Sequence, residues 1–235
     1  MAWQKAKIFL RRNFDPEVLA VRRLIHKIPR QRKAAGTYTA LMEECDQVFV
    51  DRLKERPRAL KRDYWKHHFA LDSFRAFPEI KGRILDFGCG SGHLDYWLAV
   101  KGMTITGIDA SPVAIAIANR VRQRANPIVA QRLEYIEADV CQTYTGPKRF
   151  DAVWSCEVFE HIAQPAGVLQ GLRQYVRSGT YFLICVPLGR AFDNPGHVHY
   201  FHTESELADF LSPHLSVIRA ETDSCHEVLR ILCQF

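Results

Sequence analysis

Residues 82–235 predict an α/β fold built on a mostly parallel sheet, and residues 1–77 predict helices that precede it. Three observations carry this reading. Short apolar runs alternate with helical patterns of about ten residues, the rhythm of βαβ units. Runs such as Tyr181–Val186 are apolar throughout, as parallel strands covered on both faces must be. One strand pattern, from Ile84, ends in a glycine-rich turn at Gly88–Gly92 that opens a helix.

The elements follow in order. Asp15-Pro16-Glu17 starts a helix with a capping carboxylate and a proline in the first turn. Val18, Val21, Leu24, Ile25 and Ile28 then recur at helical spacing, with Arg22, Arg23 and Lys27 on the same helix, until Pro29 is expected to stop the run. A second helix is expected over Thr37–Arg56, with Tyr38, Leu41, Cys45, Val48 and Leu53 on one stripe. A third, Arg58–Phe77, is rich in aromatics: Tyr64, Trp65, Phe69, Phe74 and Phe77. Strand patterns come at Arg83–Phe87, Thr104–Asp109, Leu133–Ala138, Phe150–Ser155, Thr180–Val186, Leu215–Ala220 and Val228–Cys233. Helices are expected between them at Gly92–Val100, Ser111–Arg124, Pro165–Arg177 and Thr203–Leu211.

Composition narrows the classes. The chain has 235 residues, 47% hydrophobic and 25% charged, which fits one domain or one domain with a modest extension. Disordered, collagen-like and coiled-coil chains are excluded, and no apolar run approaches the roughly 20 residues of a bilayer span. The net charge of +6 is unevenly placed: residues 1–70 hold 17 Lys+Arg against 8 Asp+Glu, so the remainder is slightly acidic. Seven scattered cysteines, none spaced Cys-x-x-Cys, point away from a disulfide framework and a cysteine zinc site. Met1–Asn13 shows no secretory pattern, so a reducing cytoplasmic setting is expected, although an Arg/Lys-rich start is also found in mitochondrial presequences.

The chemistry concentrates at Ile84-Leu85-Asp86-Phe87-Gly88-Cys89-Gly90-Ser91-Gly92. Glycines there let the backbone approach a ligand, although a lone glycine turn also serves as a plain βα connection. Asp109 ends the next strand 21 residues after Gly88, where a carboxylate can accept hydrogen bonds from a ribose diol. Glu137-Ala138-Asp139-Val140 puts further acids at the end of the third strand, along the same edge. The Gly-x-Gly-x-Gly spacing and the absence of a Lys or Arg at the following helix start favour a nucleoside ligand without a phosphate. Cys89 needs only to be small, and His93 in the first helix turn either meets the ligand or faces solvent.

With Gly107-Ile108-Asp109, Phe150–Trp154 and Glu157-Val158-Phe159-Glu160-His161 in the same order and spacing, the chain resembles class I S-adenosylmethionine-dependent methyltransferases over roughly residues 80–235. The resemblance implies a Rossmann-like, seven-stranded, mostly parallel sheet with an antiparallel last strand, Val228–Cys233. It implies a methyltransferase domain over 78–235 and a helical basic extension, or substrate cap, over 1–77. By position it assigns Asp86, Gly88, Cys89, Gly90 and Gly92 to the methionine part of the cofactor. Asp109 would take the ribose hydroxyls, with Ala110 near the adenine. Asp139 would reach the adenine amino group, with Val140 packed by the ring, and Cys156 and Glu157 would lie beside the cofactor.

Transfer to a hydroxyl needs alignment and removal of a proton. His161 is the best-placed general base, with Glu157 and His199 as further catalytic candidates; alternatively, Glu157 and His161 simply shape the pocket floor. His197-Val198-His199-Tyr200-Phe201-His202 supplies a second histidine cluster. Glu157, Glu160, His161 and one of His197 or His199 would make a divalent-metal site, a pairing similar to that in small-RNA 2′-O-methyltransferases. The alternative is a substrate-pocket lining or a helix cap without metal. A related Glu-x-x-Glu-His segment resembles that of ubiquinone-biosynthesis O-methyltransferases.

The expected function is therefore S-adenosylmethionine-dependent O-methylation of a small-molecule or lipid-like hydroxyl. The alternatives are metal-assisted RNA 2′-O-methylation and a cofactor-binding regulatory subunit without turnover. Aromatics Tyr64, Trp65, Phe69, Tyr200 and Phe201 suit an apolar or planar acceptor, although helical aromatics commonly serve the core. Residues 1–33, with 10 Lys+Arg against 2 acids, offer contact with anionic lipid or RNA, or simply a solvated face or an oligomer contact. His67-His68 reads as a partly buried helix face.

Overall fold

The computed structural model describes residues 16–36, 40, 42–43, 69–141, 149–191 and 196–235. Most of the expected helix over 37–56 and most of that over 58–77, with Tyr38, Leu41, Cys45, Val48, Leu53, Tyr64, Trp65 and His67-His68, lie outside the described residues; residues 40, 42–43 and 69–76 are helical. The elements are α1 (Pro16–Ala34), β1 (Arg83–Phe87), α2 (His93–Val100), β2 (Thr104–Asp109), α3 (Pro112–Arg124), α4 (Pro127–Ala130), β3 (Leu133–Glu137), β4 (Ala152–Cys156), a 3₁₀ turn (Phe159–His161), α5 (Pro165–Leu172), β5 (Tyr181–Pro187), α6 (Glu204–Leu211), β6 (Ser216–Asp223) and β7 (Val228–Gln234).

The seven strands form one sheet in the order β3-β2-β1-β4-β5-β7-β6. The first five are mutually parallel, and β7 runs antiparallel to both neighbours. Both faces are covered, which accounts for the uninterrupted apolar strands. Ile84, Ile105, Trp154 and Leu183 face a core shared with Phe69, Phe74, Phe77 and Leu98. Leu85, Ile108, Val153 and Ile184 face the opposite core, with Phe159, Leu169, Leu172 and Leu207. The helical segment 69–76 is clasped to the sheet by arginines: Arg219 donates to the Ala76 carbonyl at 2.8 Å, and Arg230 donates to Ser73 Oγ at 3.2 Å. All five parallel strands finish along one edge, at Phe87, Asp109, Glu137, Cys156 and Pro187.

The helices start where side chains can serve their unpaired N–H groups. Ser111 Oγ accepts from Ala114 N at 3.0 Å before α3. At α6, Thr203 Oγ1 accepts from Glu206 N, and the Glu206 carboxylate reaches back to accept from His202 N, one residue before the cap.

The structure departs from the sequence expectation at several boundaries. Pro29 does not stop α1, which runs on to Ala34. Ile25 and Ile28 before it pack with Val113, Ala114 and Ile117, and Arg32 beyond it pairs with Glu137 at 2.7 Å, so contacts on both sides hold the helix across the missing N–H. The short α4 has the asparagine cap and first-turn proline of a helix start, with Asn126 Oδ1 accepting from Ile128 N. α5 ends at Leu172, short of Arg177, as Tyr175 and Val176 turn into the core.

α5 approaches the loop after β3 so closely that a Cβ on Gly171 would lie 2.0 Å from the Val140 carbonyl oxygen. Backbone must move to admit it, so Gly171→Ala should lose about 2 kcal/mol of stability, measured by urea unfolding.

Candidate active site

The strand edge is organised around the turn that follows β1. Gly88 and Gly92 adopt φ of 78° and 67°, values that strain residues with a Cβ. Close packing excludes a side chain as well: a Cβ would fall 2.3 Å from Val158 Cγ2 at Gly88 and 2.4 Å from the Tyr135 hydroxyl at Gly92. Tyr135 completes the support by donating to the Gly92 carbonyl at 3.3 Å. The turn is thus wedged between the loop after β4 and the strand β3.

Asp109, at the end of β2, ties the turn to α3. Its Oδ2 accepts from Gly90 N at 2.9 Å and its Oδ1 from Ser111 N at 2.8 Å. A carboxylate oxygen can accept two hydrogen bonds, the capacity that acceptance from a vicinal diol draws on. Ala110 follows, half-buried. Across the β2–β3 pairing Asp109 stands opposite Glu137, and Asp139 lies two residues further on. Asp139 Oδ1 accepts from Cys141 N at 2.9 Å, a local turn that fixes the loop, and Val140 is buried against α5.

Behind the turn lies a buried acid pair. Asp86 of β1 and Asp95 of α2 are 4% and 0% exposed. With both ionised, neither Asp95 oxygen would have a donor. Burial, and after it the nearby Asp95 charge, drive the Asp86 pKa well above its ordinary value, so Asp86 keeps a proton to donate to Asp95. Burial pushes Asp95 up to about 6. The same burial, with the acids beside it, raises the Cys89 thiol, which makes it a packing group and not a nucleophile.

The third part of the edge follows β4. Ser155 Oγ donates to the Phe87 carbonyl at 3.0 Å, joining β4 to β1. Cys156 ends the strand, and Glu157 adopts φ of 57°, a strained conformation for a residue with a Cβ, with its N–H on the Cys185 carbonyl at 2.9 Å. Glu160 then points into the fold at 2% exposed, while His161 faces out. The Glu160 carbonyl accepts from Val198 N and His199 N at 2.9 and 3.1 Å, which brings the histidine-rich loop over the 3₁₀ turn.

That anchoring decides which histidine comes near. His197 Nε2 stands 4.0 Å from Glu160 Oε1, and its ring meets that of His161 edge-on at 4.7 Å between centroids. His199 instead packs among Phe201 and Phe210, at 5.6 and 4.7 Å. Among the described residues, Glu160, His161 and His197 place their ligand atoms within 4.8 Å of one another; neither Glu157 nor His199 joins that group. His161 Nδ1 lies 2.9 Å from the Gly196 carbonyl. A carbonyl only accepts, so Nδ1 carries the hydrogen and Nε2 is left as the basic nitrogen.

Sequence reasoning singled out the turn, Asp109, Asp139 and the Glu157–His161 segment, and the structure sets them along one edge. It missed Asp95 and Tyr135, whose importance depends on what lies beneath the turn, and the Arg32–Glu137 pair. The only available signal for Asp95 was an acid in an otherwise apolar stretch of helix, Leu94–Val100. The edge suits an S-adenosyl cofactor in two respects: the glycine turn, wedged by Val158 and Tyr135, presents backbone at the strand edge, and Asp109 offers a carboxylate acceptor beside it.

A family model described as a methyltransferase domain matches residues 49–221. The ubiquinone biosynthesis O-methyltransferase of Schizosaccharomyces pombe, a mitochondrial protein, is 40% identical over 110 residues, 46% of this chain and 39% of that protein. That of Methylocella silvestris is 35% identical over 126 residues, 52% of this chain and 48% of that protein. The chain thus matches less than half the length of these relatives. Among solved structures, a SAM-dependent methyltransferase from Aquifex aeolicus aligns with a TM-score of 0.62 at 15% identity, over 77% of this chain and 98% of that one. The glycopeptide N-methyltransferase MtfA with S-adenosyl-L-methionine aligns with a TM-score of 0.60 at 14% identity, over 71% and 92%. At these identities the structures establish the shared fold.

The buried acid pair carries a pH signature. The native state holds a proton that the unfolded chain releases near 3.8, so stability falls as pH rises from that value through about 6. Asp95→Asn removes the Asp95 share of this penalty, while the burial of Asp86 remains. Urea unfolding should show the variant gaining on the wild type by about 1–3 kcal/mol between pH 4 and pH 7.5.

Proposed function

Because this chain belongs to the methyltransferase-domain family, we propose that it transfers a methyl group from S-adenosyl-L-methionine to a hydroxyl of a small-molecule or lipid-like acceptor. The observation that carries this reading is Asp109, held by Gly90 and Ser111 beside the glycine cradle at the carboxyl edge of the sheet. The ubiquinone biosynthesis relatives support an O-linked acceptor.

The sulfonium of the cofactor supplies an already activated methyl group. The protein has to hold the acceptor in line and take up a proton. Gly88–Gly92, Asp109, Ala110, Asp139 and Val140 hold the cofactor along the first three strands. Glu157 and Cys156 border the point where the acceptor meets it. His161 Nε2 accepts the acceptor's proton, its tautomer fixed through Nδ1 by the Gly196 carbonyl. The buried Glu160 carboxylate lies 4.0 Å from His197 Nε2, beside the His161 ring. In the same reading Arg23, Lys27 and Arg30, recurring on the exposed side of α1, favour an anionic membrane surface where a lipid-like acceptor resides.

A second reading is favoured by the cluster of Glu160, His161 and His197. Carboxylate and imidazole donors suit Mg²⁺, Mn²⁺ or Zn²⁺, and these three residues would hold the ion. Such an ion would lower the pKa of the acceptor hydroxyl.

Calorimetry with S-adenosylhomocysteine should show clear binding that weakens at least about tenfold in Asp109→Ala, the value of one charge-assisted hydrogen bond. Unchanged affinity would refute the assigned pocket. His161→Gln should leave that affinity intact and lower turnover about 10²- to 10⁴-fold. With methyl-labelled cofactor, label is expected in lipid or small-metabolite pools as base-stable ethers; label confined to RNA would overturn the assigned acceptor class.

A further inference from the structure

We infer that Arg32 and Glu137 are positioning residues which latch the N-terminal helix over the nucleoside end of the cofactor site and set the rate at which the cofactor leaves. This rests on the reading of that edge given above.

Ile25 of α1 is buried against Val113 and Ala114, with Ile28 and Ile117 alongside, at the N-terminal half of α3. α3 begins three residues after Asp109, at Pro112, and its cap Ser111 gives its N–H to Asp109 Oδ1. One turn beyond Ile28, Arg32 donates to Glu137 Oε2 at 2.7 Å. Glu137 stands opposite Asp109 in the β2–β3 register and precedes Ala138-Asp139-Val140. α1 is therefore fastened to the start of α3 and the end of β3, the elements that flank the two loops assigned above to the ribose and the adenine. Between Ile28 and Arg32 on one side and Pro112, Ile115 and Glu137 on the other lies a pocket beside that edge.

The fastening is weak by design of its parts. The apolar contact is a small satellite of a few residues, apart from the two large cores. Pro29, lying between Ile28 and Arg32, withholds the hydrogen bond that a residue there would give to the Ile25 carbonyl. The Arg32 and Glu137 side chains are 38% and 25% exposed, so their pairing adds little to global stability. Elements held in this way open locally while the rest stays folded. A half-exposed ion pair then governs the local equilibrium of α1, and with it access to the nucleoside end.

Charge swapping tests this on the full chain, with S-adenosylhomocysteine and adenosine as probes. Arg32→Glu and Glu137→Arg singly should each speed S-adenosylhomocysteine dissociation about fivefold, the factor corresponding to about 1 kcal/mol. Adenosine affinity should weaken by a similar factor, and the ligand-free unfolding midpoint should stay in place. The double swap, which restores the pair with reversed sign, should return both probes to within about twofold of wild type. Unchanged dissociation in the single variants, or a double variant no better than the singles, overturns the latch. Asp109→Ala run in parallel separates the two levels. If Asp109→Ala weakens binding and the swaps do not, the latch alone fails. If Asp109→Ala has no effect, the assigned pocket fails with it.

Discussion

The Asp109 carboxylate is the tie on which the rest of the edge depends. One oxygen takes the Gly90 N–H and the other the Ser111 N–H, so a single side chain fixes both the glycine turn and the start of α3. Removing it would free the turn and the start of α3 together, and would take away the acceptor proposed for a ribose diol. The close contacts around the turn make sense on that basis. Val158, Tyr135 and Cys89 fill the space that side chains at Gly88, Gly92 and Gly107 would take, so the turn is held from below and from both sides. A rigid cradle of this kind places ligand-facing backbone without any ordering cost when the ligand arrives.

Electrostatics gives the same edge its character. The net charge of +6 suggests a basic protein, but residues 71–235 carry more acids than bases. The acids gather where strands β1 to β4 end: Asp86 and Asp95 beneath the turn, then Asp109, Glu137, Asp139 and Glu157. An acidic edge suits a cofactor that carries a sulfonium cation and becomes neutral there after giving up its methyl group. Of the basic residues of α1, Arg32 reaches this edge, where it pairs with Glu137.

Much of this was legible in the amino-acid order, for physical reasons. Parallel strands buried on both faces leave continuous apolar runs, so Tyr181–Val186 announced itself. The glycine turn and the acids that end successive strands are local patterns, readable without knowing any packing. What escaped depends on contacts between distant segments. Asp95 looks like a helix-start acid until the burial beneath the turn is seen. Pro29 reads as a stop signal, and only Val113, Glu137 and their neighbours keep the helix going past it. His197 and His199 are equivalent by spacing; the hydrogen bonds from the 198–199 backbone to the Glu160 carbonyl decide between them.

The carboxyl edge from the glycine turn to the loop after β3 is the proposed seat of an adenosyl cofactor. Amide hydrogen exchange on the intact chain, with and without S-adenosylhomocysteine, tests it most directly, because it reports position and needs no acceptor. Slowed exchange is expected in 88–92, 109–111 and 138–141, with β6 and β7 unaffected. Protection confined to other segments, or none at saturating ligand, would contradict the account.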